Sequence, residues 1–440
     1  MDLLHGHVKT IYFKYLSAAF GSAMISSIYG IVDMAMVGQY QGPLGTAALA
    51  VVAPIWNIIY SLGLLTGIGG SILMSTAKGG GLKKQENEFF TAALVETGLF
   101  SLLCWFGVIF FQNELLQLFG ANETLLPLAQ QYLYPVQFCI PLFLFNQMLA
   151  AFLRNDNHPS LATIAVLIGG IFNIFGDYFF VFTLDMGIMG AGLATSLGAL
   201  MTLLILLTHF ISHKNTLKLV KLNHFLPLLK RISITGFSTF FIDIAMGILT
   251  MLFNRQIITY LGTDALSVYG VIVNISTVVQ CCAYSVGQAA QPILSLNFGA
   301  KQWSRIKETL KYALYSIAFF SLVWTLLIFI FPNLFIQLFM TPTQDIYQIA
   351  PRIMRTYGLS FLLLPLNIFS TYYFQSIMKP GISFVVSITR GMILSGILIY
   401  ILPIIFVPST LWLTMPITEL ILAIFVIIAI RQSSFCIQKD

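Results

Sequence analysis

The sequence predicts an all-α membrane protein: twelve transmembrane helices in two six-helix lobes related by pseudo-two-fold symmetry. Three observations carry that expectation. Of the 440 residues, 58% are hydrophobic and only 9% are charged, whereas soluble domains carry about 25% charged residues. Long apolar runs follow one another to the end of the chain. The first half of the sequence can also be laid on the second.

The twelve runs lie near Ile11–Gly38, Thr46–Ala77, Phe89–Phe111, Leu125–Leu153, Ser160–Phe182, Gly187–Ile211, Leu226–Tyr260, Ala265–Asn297, Tyr312–Phe331, Ile346–Met378, Ile382–Phe406 and Leu411–Ile430. Each is close to or longer than the roughly 20 residues that a helix needs to cross the hydrocarbon. The first run is too long for a cleaved signal peptide, and no small-residue cleavage site follows it, so it is expected to stay as a membrane helix. Five cysteines, Cys104, Cys139, Cys281, Cys282 and Cys436, fall within or beside the runs without metal spacing. They read as apolar packing residues.

A net charge of +6 invites a nucleic-acid reading, and the placement of the basic residues rejects it. Lys78, Lys83 and Lys84 follow the second run, Arg154 the fourth, and Lys214, Lys218, Lys221, Lys230 and Arg231 the sixth. Lys301, Arg305, Lys307 and Lys311 follow the eighth, Lys379 the tenth, and Arg431 and Lys439 the twelfth. The intervening loops carry Glu114, Glu123, Asp185, Asp264 and Asp345 and almost no Lys or Arg. The positive-inside rule then places both termini in the cytoplasm. The basic excess is topology.

A shift of 220 positions lays Gly67 on Gly287, Ser75 on Ser295, Gly79 on Gly299 and Glu88 on Glu308. In the same frame Phe100-Ser101-Leu102 falls on Phe320-Ser321-Leu322, and Gln117-Leu118-Phe119 on Gln337-Leu338-Phe339. Six helices per copy is an even number, so the copies share one orientation, an arrangement found in secondary transporters. The expected division is an N-terminal lobe over 1–212, a basic linker over 213–231 and a C-terminal lobe over 232–440. Pro54, Pro141, Pro292, Pro365 and Pro416 interrupt the runs. They mark either kinks that bend during transport or the ordinary frequency of Pro in membrane helices.

Within the apolar runs, ionisable residues are the informative ones, because a charge at the bilayer centre costs roughly 2.5–3.5 kcal/mol on insertion scales. Asp177 lies in the fifth run with Asn173 four residues before it, on one helix face, and Asp33 lies in the first. Burial disfavours the charged form of a carboxylate, so such groups can load and release a proton. The competing reading is structural glue between helices. In the second half, Asp243 and Glu419 either attract a cationic substrate or pair with a basic residue such as Arg255 or Arg390. Gln288 faces a polar cavity or a helix contact. Glu96 is expected at a wet edge. The histidines, His158 and His209 among them, fall at predicted cytoplasmic ends. Aromatic and Met side chains are mostly packing, with a few suited to flat cations through cation–π contact.

Several segments resemble the multidrug and toxic compound extrusion (MATE) family over nearly the whole chain. They are VDMAMVGQ at Val32–Gln39, LRNDNHP at Leu153–Pro159, FNIFGDYFFVF at Phe172–Phe182 and GAGLATS at Gly190–Ser196. In the second half they are FNRQI at Phe253–Ile257, YG at Tyr269–Gly270 and GQAAQPILSLNFGA at Gly287–Ala300. The resemblance is closest to the bacterial DinF-like and MepA-like branch. It implies the MATE fold, and a secondary antiporter of the bacterial inner membrane that exports amphiphilic, mostly cationic organic compounds in exchange for H⁺ or Na⁺. It implies a cation-coupling site of Asp33, Asn173, Asp177 and Thr195, where Na⁺ is possible, and no further cofactor. Asp243, Gln288 and Glu419 are the candidate substrate-cavity residues, and a monomer is expected. Two departures stand out: no proline precedes Pro43 to bend the first helix, and no acid lies between Ile346 and Met378.

Two other functions compete with this one. An exporter or flippase of a lipid-linked or metabolite substrate is the alternative, but it usually needs a strongly basic cavity. A membrane-embedded enzyme such as a prenyltransferase would need clustered Asp residues for Mg²⁺, and the sequence has no such cluster.

Overall fold

A computed structural model describes residues 2–340 and 342–436. Lys439 lies outside them, as does the side chain of Cys436. The described residues form α1 (Val8–Gln41), α2 (Pro43–Gly79), α3 (Lys83–Phe110), α4 (Leu125–Asn155), α5 (Pro159–Thr183) and α6 (Gly187–Ile211). They continue as α7 (Phe225–Tyr260), α8 (Gly262–Gly299), α9 (Trp303–Ile330), α10 (Gln344–Ser376), α11 (Pro380–Ile405) and α12 (Pro408–Ser433). These twelve are long and apolar enough to cross a membrane. Most run a few residues past their apolar stretch, because helix ends outside the hydrocarbon tolerate polar side chains.

The sequence repeat returns as repeated local geometry. Short helices Gln112–Leu118 and Pro332–Phe339 follow α3 and α9. α4 and α10 are each broken by a 3₁₀ turn, at Gln137–Cys139 and Leu359–Leu362, with Pro141 and Pro365 opening the next helical segment. Proline suits that position because the first N–H of a helix has no partner to lose. Pro54 and Pro292, by contrast, lie inside continuous helix. The turn after α4 passes through a left-handed residue, Asn157 at φ 59°, and the turn after α10 through Met378 at φ 57°. Asn tolerates that conformation and Met does so at a cost, so the turn is retained where its residue is unfavourable.

By contacts the chain forms two compact units. Unit 1 contains Ser17–Phe240 with the residues up to Gly6, and unit 2 contains His7–Leu16 with the chain from Phe241 onward. The division thus runs inside α1 and α7 and not within residues 213–231. Unit 1 holds the first part of α7 by close backbone approach. A Cβ on Gly69 would stand 2.3 Å from Ile232 O, and one on Gly236 2.0 Å from Leu65 O. Ser233 of α7 also donates to Glu96 of α3, which is buried and not at a wet edge. Unit 2 holds the first turns of α1, where Tyr12 donates to Ser316 Oγ at 2.9 Å and stacks on Tyr312.

Candidate functional site

In unit 1 the site is built where α5 and α6 lie against one another. A Cβ on Gly169 would fall 1.9 Å from Thr202 Oγ1, and one on Gly198 2.8 Å from Gly169 O. Small residues permit such an approach in membrane helices, and here it brings Asn173 onto Thr195, with Asn173 Nδ2 donating to Thr195 Oγ1 at 3.2 Å. One turn further along the same face, Asp177 is 0% exposed. Immediately after it α5 widens into a π turn, Tyr178–Thr183, a geometry concentrated at functional sites.

α1 contributes Asp33 and α4 contributes Tyr132, whose hydroxyl donates to Asp33 Oδ2 at 3.3 Å. The phenol also reaches Thr195, and the two acids are close enough to act on each other electrostatically. Gly192 of α6 makes room for this part of α4, since a Cβ there would stand 2.2 Å from Tyr132 O. Asp33, Asn173, Asp177 and Thr195 are therefore gathered in one cluster, together with Tyr132, which the sequence reading did not single out.

Its unusual property is an excess of buried acceptors. Among the described residues, none partners Asp33 Oδ1, Asn173 Oδ1 or either carboxylate oxygen of Asp177 in a hydrogen bond. Among the described residues no ion pair reaches either acid. Two neighbouring buried carboxylates without a cation are costly. A proton or a hard ion with oxygen ligands relieves that cost. Among the described residues no three of His, Cys, Asp and Glu gather to hold a metal ion, so the donor set is two acids with neutral oxygens.

Unit 2 carries a second polar cluster. Asp243 of α7 accepts from the Tyr284 hydroxyl of α8 at 3.1 Å, and its Oδ2 is buried without a partner among the described residues. Gln288 lies one turn beyond Tyr284 and is half-buried. Glu419 of α12 is wholly buried: Arg390 Nε of α11 donates to Oε1 at 2.7 Å and Asn367 Nδ2 of α10 to Oε2 at 2.6 Å. Both of its oxygens are engaged, and of this pair it is Arg390 that lines a small cleft with Met246, Phe253, Tyr269, Tyr357 and Met415. Arg390 also sits in a π turn, Thr389–Ile393, where Gly391 packs against Ala245 of α7.

A third cluster went unread in the sequence. Asp156, between α4 and α5, is 0% exposed, with His209 Nε2 at 2.8 Å, Lys78 Nζ at 2.8 Å and the Thr216 backbone N–H at 2.8 Å. The Thr216 hydroxyl donates to it as well. Burial alone would raise the Asp156 carboxyl, and the hydrogen bond from His209 and the Lys78 charge outweigh it, leaving the group below the usual carboxylate range. His158 Nδ1 lies 3.0 Å from His209 Nδ1. Burial pushes His158 below its ordinary value, with Lys214 and His209 pushing the same way. Lys218 N–H on Asn87 and Val220 N–H on Thr91 continue the anchoring along α3. The basic stretch after α6 is thereby fastened to unit 1.

The MatE family model matches residues 18–179 and 237–401. Among curated proteins, the multidrug export protein MepA of Staphylococcus aureus (strain MSSA476) is 24% identical over 396 residues, covering 88% of this chain and 84% of that protein. MepA of Staphylococcus haemolyticus (strain JCSC1435) is 22% identical, covering 93% and 91%. Among solved structures, an outward-facing multidrug resistance MATE family transporter of the MOP superfamily superimposes with a TM-score of 0.89 at 21% identity, covering 100% of this chain and 98% of that one. A MOP superfamily transporter from Pyrococcus furiosus Vc1 gives 0.90 at 20% identity, with the same coverage. Twelve apolar helices, a sequence repeat carried into local geometry and a family model spanning both halves agree: the chain is a multi-pass membrane protein of the MATE transporter family.

Proposed function

We propose that this protein is a secondary active antiporter that exports amphiphilic, mostly cationic organic compounds in exchange for H⁺ or Na⁺ by alternating access. The observation that carries the reading is the set of unpartnered buried oxygens on Asp33, Asn173 and Asp177. In this reading Asp33 and Asp177 take the coupling cation, with Asn173 and Thr195 as neutral donors and Tyr132 orienting Asp33. Asp243 and Gln288 face the cargo, and Glu419 acts through Arg390. The protein works as a monomer in a bacterial inner membrane with both termini in the cytoplasm, in keeping with the distribution of Lys and Arg. The MepA relatives, which are named as multidrug exporters, support the same cargo class.

The test is export of a fluorescent organic cation from proteoliposomes under separately imposed pH and Na⁺ gradients. Asp33→Asn and Asp177→Asn are expected to abolish gradient-driven export while the protein still inserts and purifies. Wild-type rates with unchanged ion dependence in both variants would falsify the coupling assignment.

A further inference from the structure

The stretch after α6 crosses one particular face of α3. Its backbone is fastened there by Lys218 N–H on Asn87 Oδ1 at 2.8 Å and by Val220 N–H on Thr91 Oγ1 at 3.1 Å. Asn87 and Thr91 are four residues apart and share a helix face. At 100° per residue, Leu102 and Ile109 fall on that same face, eleven and eighteen residues beyond Thr91. They are 57% and 36% exposed, and an apolar stripe left exposed on a membrane helix meets acyl chains. From Thr91 to Ile109 the helix rises about 27 Å, close to the roughly 30 Å of hydrocarbon. The stretch therefore crosses the stripe at one edge of the hydrocarbon, where headgroups begin.

Its side chains suit that depth. Leu217 is buried in unit 1, whereas Leu219 is 69% exposed, and Lys218 and Lys221 on either side of it are exposed as well. An apolar residue flanked by long cationic side chains rests on acyl ends while the ammonium groups reach the phosphates. The nearby acids of α3 are engaged elsewhere: Glu86 lies 3.4 Å from Lys78 and Glu88 4.0 Å from Lys84. A zwitterionic headgroup would bring its own cation beside two lysines with no carboxylate to receive it. A net anionic headgroup meets no such repulsion. A flexible basic loop would attract anionic lipid only diffusely, but here the two backbone hydrogen bonds fix the crossing over the stripe, and a preorganised site binds with less loss of entropy.

We infer that this crossing and the stripe of α3 form a seat for an anionic phospholipid, its phosphate between Lys218 and Lys221 and an acyl chain along Leu102 and Ile109. The inference goes beyond the transport reading and does not depend on it.

The experiment equilibrates the purified full chain in detergent with equal amounts of phosphatidylglycerol and phosphatidylcholine and weighs the bound lipid by native mass spectrometry. Phosphatidylglycerol is expected to be retained about tenfold or more over phosphatidylcholine, two lysines contributing about fivefold each. Lys218→Gln/Lys221→Gln, which leaves both backbone N–H bonds in place, should bring that preference to within about twofold. Lys9→Gln/Lys307→Gln removes the same charge from exposed positions of unit 2 and should keep it. Glycerol phosphate in excess, a phosphate without acyl chains, should not displace the lipid. Equal retention of the two lipids by the wild type, equal loss in both double variants, which would mean diffuse attraction only, or displacement by glycerol phosphate, which would mean a soluble-phosphate site, overturns the inference.

Discussion

His209 Nε2 and Asp156 Oδ2 lie 2.8 Å apart with both side chains wholly buried, beside Lys78 and the backbone of Thr216. Removing one partner from a buried charged network costs about 3–5 kcal/mol, so His209→Ala or Asp156→Ala should lower the thermal midpoint in detergent and expose residues 212–224 to protease. The pH dependence follows from Asp156, whose carboxyl is held below its usual value. A depressed group contributes stability above its unfolded value, near 3.9, and loses it as pH falls through the lower folded value. Cleavage within 212–224 should therefore rise in two stages: weakly below about pH 6.5, where His158, held below its ordinary value, has to charge, and steeply only near or below about pH 4, where Asp156 is protonated. A profile that stays flat below about pH 5 would show that Asp156 does not fasten this stretch.

Gly192 sets the position of Tyr132, because any Cβ there meets the Tyr132 carbonyl at 2.2 Å. Backbone cannot step aside as a flexible side chain can. Gly192→Ala is expected to destabilise by about 1–3 kcal/mol, the usual cost of overpacking, and to impair coupling by displacing the Tyr132 hydroxyl from Asp33. Gly107→Ala in α3 is the control, since a Cβ at that position would meet nothing within 4 Å; it should be neutral or stabilising by up to about 1 kcal/mol. Melting curves and gradient-driven export of the two variants check the pair.

The spans and the repeat were legible because both are written in composition: apolar runs must be helical in lipid, and the offset of 220 survives in small and aromatic residues. Asp33 and Asp177 were legible because an acid is conspicuous in an apolar run. Tyr132 was not, being one of 18 tyrosines whose hydroxyl matters only through packing of α4 on α6. The Asp156 cluster was hidden for the opposite reason. Its members fall at helix ends, where charges are ordinarily solvated, and only the fold of the stretch after α6 buries them. For Glu419, sequence left Arg255 and Arg390 as rival partners; the π turn in α11 and the small Gly391 accompany the choice of Arg390.

The Arg390–Glu419 pair predicts a non-additive mutant cycle. Either Arg390→Leu or Glu419→Leu alone leaves a buried charge unmet and should cost about 3–5 kcal/mol, whereas replacing both by apolar residues of similar volume is often near neutral. Arg390→Leu/Glu419→Leu should thus melt closer to the wild type than either single variant. Additive losses across the cycle would show that the two residues stabilise unit 2 through separate contacts.

Thr195 separates the two coupling ions. A proton needs one carboxylate oxygen, so the loss of a neutral donor should matter little to it. Na⁺ needs several oxygens at once, and the Thr195 hydroxyl stands against Asn173 within reach of the acids' cluster. Thr195→Val keeps the shape of the side chain and removes that oxygen. Export driven by Na⁺ should fall by about tenfold, the worth of one lost polar contact of roughly 1.4 kcal/mol, while export driven by a pH gradient stays within about twofold. Equal losses under both gradients would make Thr195 a packing residue of the α5–α6 contact, and a wild type indifferent to Na⁺ would assign the cluster to the proton alone.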